Sequence, residues 1–309
     1  MSIKTKGYLF AAIAAATYGL NPLFTLPLYA DGMDSNSVLL FRYLFAIVIM
    51  GIMLKWRGRS FKVKRKEIMP LFLMGILAAY SSLSLFISYH YMAAGIASTI
   101  LFVYPIMVAL IMAALFHEKI TAQTIVCIAL ALTGIGMLYK GEEGDVLSTT
   151  GILFIMTSAL SYATYIVGVN REPLKSIATV RLTFYVFLSG SLLFVAGTNF
   201  LQDVILPTRW YLWANLLALA IFPTAISFLC TTLAAQYIGP TPTAILGALE
   251  PVTAIAIGVM LFGESFTSRI ALGVILIIVA VTIVIAGGKI TAPLTRFKKL
   301  FPKIRHNRH

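Results

Sequence analysis

Glu250 and Tyr104 are the residues most able to do chemistry in this chain, and each stands directly before a proline, Pro251 and Pro105, inside an apolar run. Glu250 is near the middle of its run, about ten residues or ~15 Å from either end. A charged carboxylate at that depth costs several kcal/mol, so it must face a cavity and have a partner or a proton. The functional expectation is that Glu250 binds a substrate amine or carries a coupling proton. A protonated Glu bonded to a neighbouring helix would satisfy the same physics without a function. Tyr104 occupies the corresponding place as a neutral phenol.

Other polar side chains cluster within apolar runs. Tyr18 stands near Asn21-Pro22. Tyr80, Ser84 and Ser88 recur at four-residue spacing, and Ser158, Tyr162 and Tyr165 share a helical face. Ser227 is grouped with Thr224, Thr231 and Thr232. A cavity lined by rings and hydroxyls suits an amphipathic solute. The expected substrate-binding set is Tyr18, Asn21, Tyr80, Ser84, Tyr104, Tyr162, Tyr165, Ser227 and Glu250. A single Ser or Thr can instead bond back to its own helix. Tyr29, Tyr91 and Tyr211 are near run ends and suit an interfacial belt.

Pro105 and Pro251 each remove a backbone donor and free a carbonyl, at Leu101 and Gly247. The expectation is a pair of hinges. Arg42 and Arg181 lie about five residues inside their runs. They snorkel, pair with Asp34 and Glu172, or form half of a gate at each face. Cys127 and Cys230 read as small buried hydrophobes, without an implied disulfide. His90 reads as interfacial, and His117 falls in a loop. No His, Cys and carboxylate set has metal spacing, and no Gly-Lys phosphate loop is present, so neither a metal site nor direct ATP drive is expected.

The elements that must position these residues are membrane helices. The chain is 60% hydrophobic and 11% charged. A soluble domain carries roughly 25% charged residues, so a water-facing surface could not be covered. Ten apolar runs are centred near Ala16, Ile47, Ala79, Met107, Ala131, Ser161, Leu188, Ile221, Ala256 and Ile278. Their length argues helices rather than outer-membrane strands. The first run, from Gly7 to about Tyr29, is too long for a signal peptide and reads as the first span.

Residues 91–138 align with 237–284 without a gap, with Tyr91/Tyr237, Pro105/Pro251, Phe116/Phe262, Glu118/Glu264 and Thr121/Thr267 among the identities. Gly7 and Tyr18 match Gly151 and Tyr162; Ser37 and Arg42 match Ser176 and Arg181. Each copy holds five spans, and an odd number inverts the second copy in the membrane. The fold class is therefore an all-α integral membrane protein, ten transmembrane helices in two inverted five-helix repeats around a central cavity. The repeats cover 1–140 and 150–288, followed by a basic tail, 289–309. Spans one, three, four, six, eight and nine should line the cavity, and the rest should face lipid.

The net charge of +13 is not the mark of a nucleic-acid binder, because of where it lies. Ten spans put 19 Lys and Arg on the side of the N-terminus, including the zones 55–66 and 289–308, and three on the other. The positive-inside rule makes both termini cytoplasmic in the inner membrane, with the basic zones touching anionic lipid.

The stretches Leu246-Gly-Ala-Leu-Glu250-Pro251-Val252 and Leu261-Phe-Gly-Glu264 resemble the EamA-type branch of the drug/metabolite transporter superfamily. So do Leu101-Phe-Val-Tyr104-Pro105 with Phe116-His-Glu118, Ala159-Leu-Ser-Tyr162-Ala and Phe41-Arg42-Tyr-Leu-Phe-Ala46. Tyr18 and Tyr162 stand where that family frequently has Trp. The resemblance implies ten helices around a central cavity, no cofactor, and export of small metabolites, with amino acids or their derivatives first in view. The expected function is a secondary transporter working outward by alternating access, with a small-molecule substrate, the bilayer and protons as partners, as a monomer or weak dimer. The alternatives are a membrane-embedded enzyme on a lipid-like substrate and a passive channel. The mid-membrane prolines in an inverted repeat favour the transporter.

Overall fold

A computed structural model describes residues 2–91, 97, 100–118, 120–138, 148–253, 256, 267–280, 282 and 283. Glu264, most of the Met92–Ala97 loop and the 289–309 tail lie outside the described residues. Among the described residues the secondary structure is helical, without strands. In lipid every backbone N–H and C=O must be satisfied within the protein, and a helix does this locally.

The chain runs through α1 (Ile3–Tyr18), α2 (Asn21–Ala30), α3 (Ser35–Trp56), α4 (Arg65–Ser88), α5 (Tyr104–Phe116), α6 (Ala122–Leu138), α7 (Thr149–Gly168), α8 (Thr179–Gly197), α9 (Trp210–Ala220), a π-helical turn (Ile221–Ile226), α10 (Ser227–Ile238) and α11 (Pro240–Leu246). Residues 249–253 are helical again, and α12 spans Ser268–Ala280. Among the described residues, six helical runs are long and apolar enough to cross a membrane: Ile3–Ala30, Ser35–Trp56, Arg65–Ser88, Thr149–Gly168, Thr179–Gly197 and Trp210–Ile238. Large apolar side chains such as Val48, Ile52, Leu73, Leu153, Leu160 and Leu192 point outward, exposed, as a lipid-facing surface requires. This is a multi-pass membrane protein.

The ends of the helices are fixed by local chemistry. Asp34 caps α3 through the N–H groups of Asn36 and Ser37. Thr121 and Thr267, equivalent in the sequence repeat, cap α6 and α12: Thr121 Oγ1 accepts from Thr124 N and Thr267 Oγ1 from Ile270 N. Glu118 is exposed in the preceding turn, and the threonine does the capping.

The packing pattern repeats itself. α4 packs along α7, and α10 packs along α1. In the repeat seen in the sequence α1 corresponds to α7 and α4 to the α9–α10 run, so these two contacts exchange. α3 and α8, themselves equivalent, pack on each other.

Loop contacts group the ends of the helices into two sets. Asp31 receives the Thr208 backbone N–H and hydroxyl, and Ser37 Oγ receives Ile205 N–H. On the second set of ends, Arg181 donates to the Lys62 carbonyl at 3.0 Å, the Arg171 guanidinium lies 3.3 Å from the Phe116 ring centre, and Gln123 donates to the Ile283 carbonyl.

Candidate functional site

Four helical runs are interrupted, and each contributes at least one residue to the wall of one cavity. α1 stops at Tyr18, and after Gly19 and Leu20 the chain restarts at Asn21-Pro22. α5 starts at Tyr104-Pro105, where the proline occupies the first turn and needs no partner for a missing N–H. Gly247 and Ala248 separate α11 from the helical residues 249–253, which carry Glu250 and Pro251. The α9–α10 run is widened by its π-turn, which contains Pro223. Pro105 and Pro251, expected as a pair of hinges, each follow a break in the helix. The carbonyl that Pro251 frees, Gly247 O, is satisfied by Glu250 N–H at 2.9 Å.

The cavity is small, about 20 Å³, room for a water-sized molecule. Its wall is Ala11, Ala14, Ala15 and Tyr18 from α1, Tyr104, Tyr162 and Ile166 from α7, Thr231, Thr243, Gly247 and Glu250. Small residues of α1 leave the space, and three tyrosines shape it. The Tyr18 and Tyr162 rings stack at 6.2 Å, and Tyr104 meets Tyr162 edge-on at 5.1 Å. Glu250 is partly accessible and lines the same cavity as all three phenols. Thr231 supports Tyr162.

Two glycines set the closeness of this arrangement. A methyl group on Gly19 would stand 2.6 Å from the Glu250 carbonyl oxygen, so only glycine lets the end of α1 meet that backbone. At Gly247 a side chain would run into the Tyr104 hydroxyl, which donates to the Ala244 carbonyl at 3.0 Å. Tyr104 thus reaches from the first half of the chain onto α11.

The remaining expected site residues fall into other places. Tyr165 is one layer behind Tyr162, bonded to Thr232 Oγ1 at 3.1 Å. Ser227 pins α10 to α1 through the Ala14 carbonyl at 3.0 Å. Tyr80 and Ser84, expected to line the cavity, do not line it: Tyr80 is 38% exposed on the outer surface and Ser84 is buried in helix packing. The hydroxyls of α4 knit helices together instead, as Ser158 Oγ donates to the Ser81 carbonyl at 2.7 Å.

Arg42 and Arg181 differ despite equivalent positions. Arg181 lies at the surface and holds the 60–62 loop. Arg42 is wholly buried, not snorkelling, and Asp34 is committed to capping. Its Nε donates to Thr224 Oγ1 and its Nη2 to the Pro223 carbonyl at 3.1 Å. That π-turn is the feature sequence reasoning passed over; Pro223 in an apolar run was the available signal. Asn21 is also buried and is not part of the cavity wall.

The family model for EamA-like transporters matches twice, over residues 5–140 and 149–286. The chain belongs to the EamA-like transporter family. Among its relatives in this family is an uncharacterized transporter of Archaeoglobus fulgidus, 27% identical over 60% of this chain and 65% of that protein, just under two thirds of its length. A second protein of A. fulgidus, 25% identical over 92% of this chain and 96% of its own, carries the same description. So does one from Clostridium kluyveri, 22% identical over 92% and 94%. A crystal structure shares the fold, with a TM-score of 0.77, 17% identity, and 90% and 96% of the two chains covered. Like its family, the EamA-like chain is a membrane transporter for a small molecule.

Proposed function

We propose that this EamA-like transporter moves a small polar or amphipathic metabolite, amino acids or their derivatives first, outward across the cytoplasmic membrane by alternating access. The route passes through the cavity, where Glu250 meets a substrate amine or a proton and Tyr18, Tyr104 and Tyr162 meet its apolar body. The observation that carries this reading is the convergence of four interrupted helical runs, one carboxylate and three tyrosines on one cavity. Broken helices at mid-membrane are where transporters place binding sites.

The ten-span, two-repeat topology is part of the same proposal. The double family match and the exchanged helix contacts support it. The loop contacts support it too: with ten alternating spans, the Asp31–Thr208 and Ser37–Ile205 pairs fall on one side of the membrane. The Arg181–Lys62, Arg171–Phe116 and Gln123–Ile283 pairs fall on the other. The second side carries the basic loops, which makes it cytoplasmic.

A thermal-shift screen of purified protein against metabolites tests the reading, because a ligand of the folded state raises apparent stability. A stabilising compound should then show saturable counterflow in proteoliposomes. Flux that never saturates would mean a channel, and chemical conversion of the compound would mean an enzyme.

A further inference from the structure

The segment between α8 and α9 carries apolar side chains outward where the backbone suits them least. Asn199, Phe200 and Leu201 take successive left-handed dihedrals, with φ of 49°, 54° and 73°. Glycine and asparagine adopt this region readily, whereas phenylalanine and leucine are disfavoured in it. Phe200 is nonetheless 75% exposed and Leu201 54%, so packing within the chain does not account for either. Ile205, Leu206 and Trp210 are exposed along the rest of the segment. The backbone, by contrast, is largely closed on itself. Asn199 N–H donates to the Ala196 carbonyl, Phe200 N–H to Val195, Gln202 N–H to Asn199 and Asp203 N–H to Thr198. Ile205 and Thr208 donate to Ser37 and Asp31, and Pro207 has no N–H. Backbone satisfied in this way can enter an apolar boundary that open backbone cannot.

The same bonds fix the depth of the segment. Ser37 is in the first turn of α3, and Asp31 follows the last residue of α2. Both mark ends of runs long enough to span, Ile3–Ala30 and Ser35–Trp56. The segment therefore lies level with the boundary between acyl chains and headgroups. It also continues the lipid-facing surface of its two neighbours. Leu188 and Leu192, four residues apart on α8, are exposed below the left-handed turn. On α9, Trp210, Trp213 and Leu217 form one exposed stripe at helical spacing, and the stripe begins in the segment with Trp210 at 85% exposure. The Arg209 guanidinium lies 6.0 Å from the centre of the Tyr211 ring. Tryptophan, tyrosine and a cation at the end of a span are the composition of a membrane–water interface.

We infer that residues 199–210 form an interfacial lipid anchor, in which Phe200, Leu201, Leu206 and Trp210 insert at the acyl-chain boundary while Gln202 and Asp203 stay among hydrated headgroups. The partner is the bilayer itself, since the apolar side chains prolong stripes that already face lipid. Lipid contact is what holds Phe200 and Leu201 in a conformation that water would not favour. The anchor is independent of the route through the cavity. It secures the end of α9, whose other end runs into the π-turn that receives Arg42.

The test uses the full-length protein in phosphatidylcholine and phosphatidylglycerol proteoliposomes. With Cys127 and Cys230 replaced by Ala, a nitroxide is placed by Phe200→Cys, Leu201→Cys or Leu206→Cys, and for comparison by Gln202→Cys or Asp203→Cys. Oxygen, which concentrates in lipid, should relax the first three labels more than a water-soluble nickel chelate does. The order should reverse at 202 and 203. A second measurement leaves both cysteines in place. Trp56→Phe with Trp213→Phe keeps Trp210 as the single tryptophan, which brominated phospholipid should quench and aqueous iodide should barely reach. Nickel contact at 200 and 201 equal to that at 203, or Trp210 quenched by iodide and not by brominated lipid, overturns the anchor. Labels at 200 and 201 that neither oxygen nor nickel reaches would place the segment against another protein surface, which overturns it too.

Discussion

The rings of Tyr18 and Tyr162 stack with planes 15° apart and centroids separated by 6.2 Å. They occupy equivalent positions in the two halves, so the stack lies where the halves meet. A second equivalent pair, Tyr104 and Glu250, flanks it without matching: one side chain is bonded to the Ala244 carbonyl, and the other faces the cavity. The proposed path between the two repeats is therefore chemically one-sided at its centre.

Tyr104 holds position rather than substrate charge. Tyr104→Phe should cost about 1 kcal/mol of stability, the usual worth of one neutral hydrogen bond, and leave transport near the wild-type rate. Gly247→Ala forces a methyl against the same hydroxyl and should cost about 1–3 kcal/mol by overpacking. Thermal unfolding in detergent checks both, and the double variant Tyr104→Phe, Gly247→Ala should recover part of the loss because the clashing oxygen is gone.

Thr224 should matter more than any other threonine in its run. Thr224→Val leaves a buried guanidinium short of an acceptor, at about 1.5–3 kcal/mol for a bond to a charged group. Thr224→Ser keeps the acceptor and should stay near wild type. Equal stability of the two variants would mean that Arg42 does not depend on the π-turn.

Orientation is open to labelling. In a background with Cys127 and Cys230 replaced by Ala, Thr208→Cys should react with an impermeant thiol reagent on intact cells. Ser60→Cys should react only in inverted vesicles. The opposite pattern would reverse the assigned sides, and labelling of both from one side would break the ten-span topology.

Asp31 gives a pH signature on the loop end that it shares with Thr208. The Thr208 hydroxyl and then its backbone N–H hold the Asp31 carboxyl below the usual carboxylate range, with Arg209 adding to the effect. A group lowered by folding adds stability above its unfolded pKa and loses it as pH falls through the folded one. Wild type should be slightly more stable than Thr208→Val at neutral pH, and the gap should close below about pH 4. Melting curves across pH check this, and a gap independent of pH would contradict it.

Membrane character and family were legible in the sequence because apolar length and low charge admit few other solutions. The prolines beside Tyr104 and Glu250 marked where the helices break, since each removes a backbone donor. Direction was harder to read. Arg42 looked like a residue reaching for headgroups because its acceptor, the Pro223 carbonyl, is 181 residues away in the chain. Tyr80 shared a helical face with Ser84, yet one faces outward and the other is packed. Which neighbour a helix meets depends on long-range packing, and spacing along one helix does not encode that.

Glu250 is the centre of the account, and counterflow of a stabilising substrate in proteoliposomes, compared between wild type and Glu250→Gln across pH, tests it most directly. The account predicts that the variant folds, that its counterflow falls by about tenfold or more, the worth of a lost charged contact, and that what remains no longer varies with pH as the wild type does. A variant with the wild-type rate and the wild-type pH profile would contradict it.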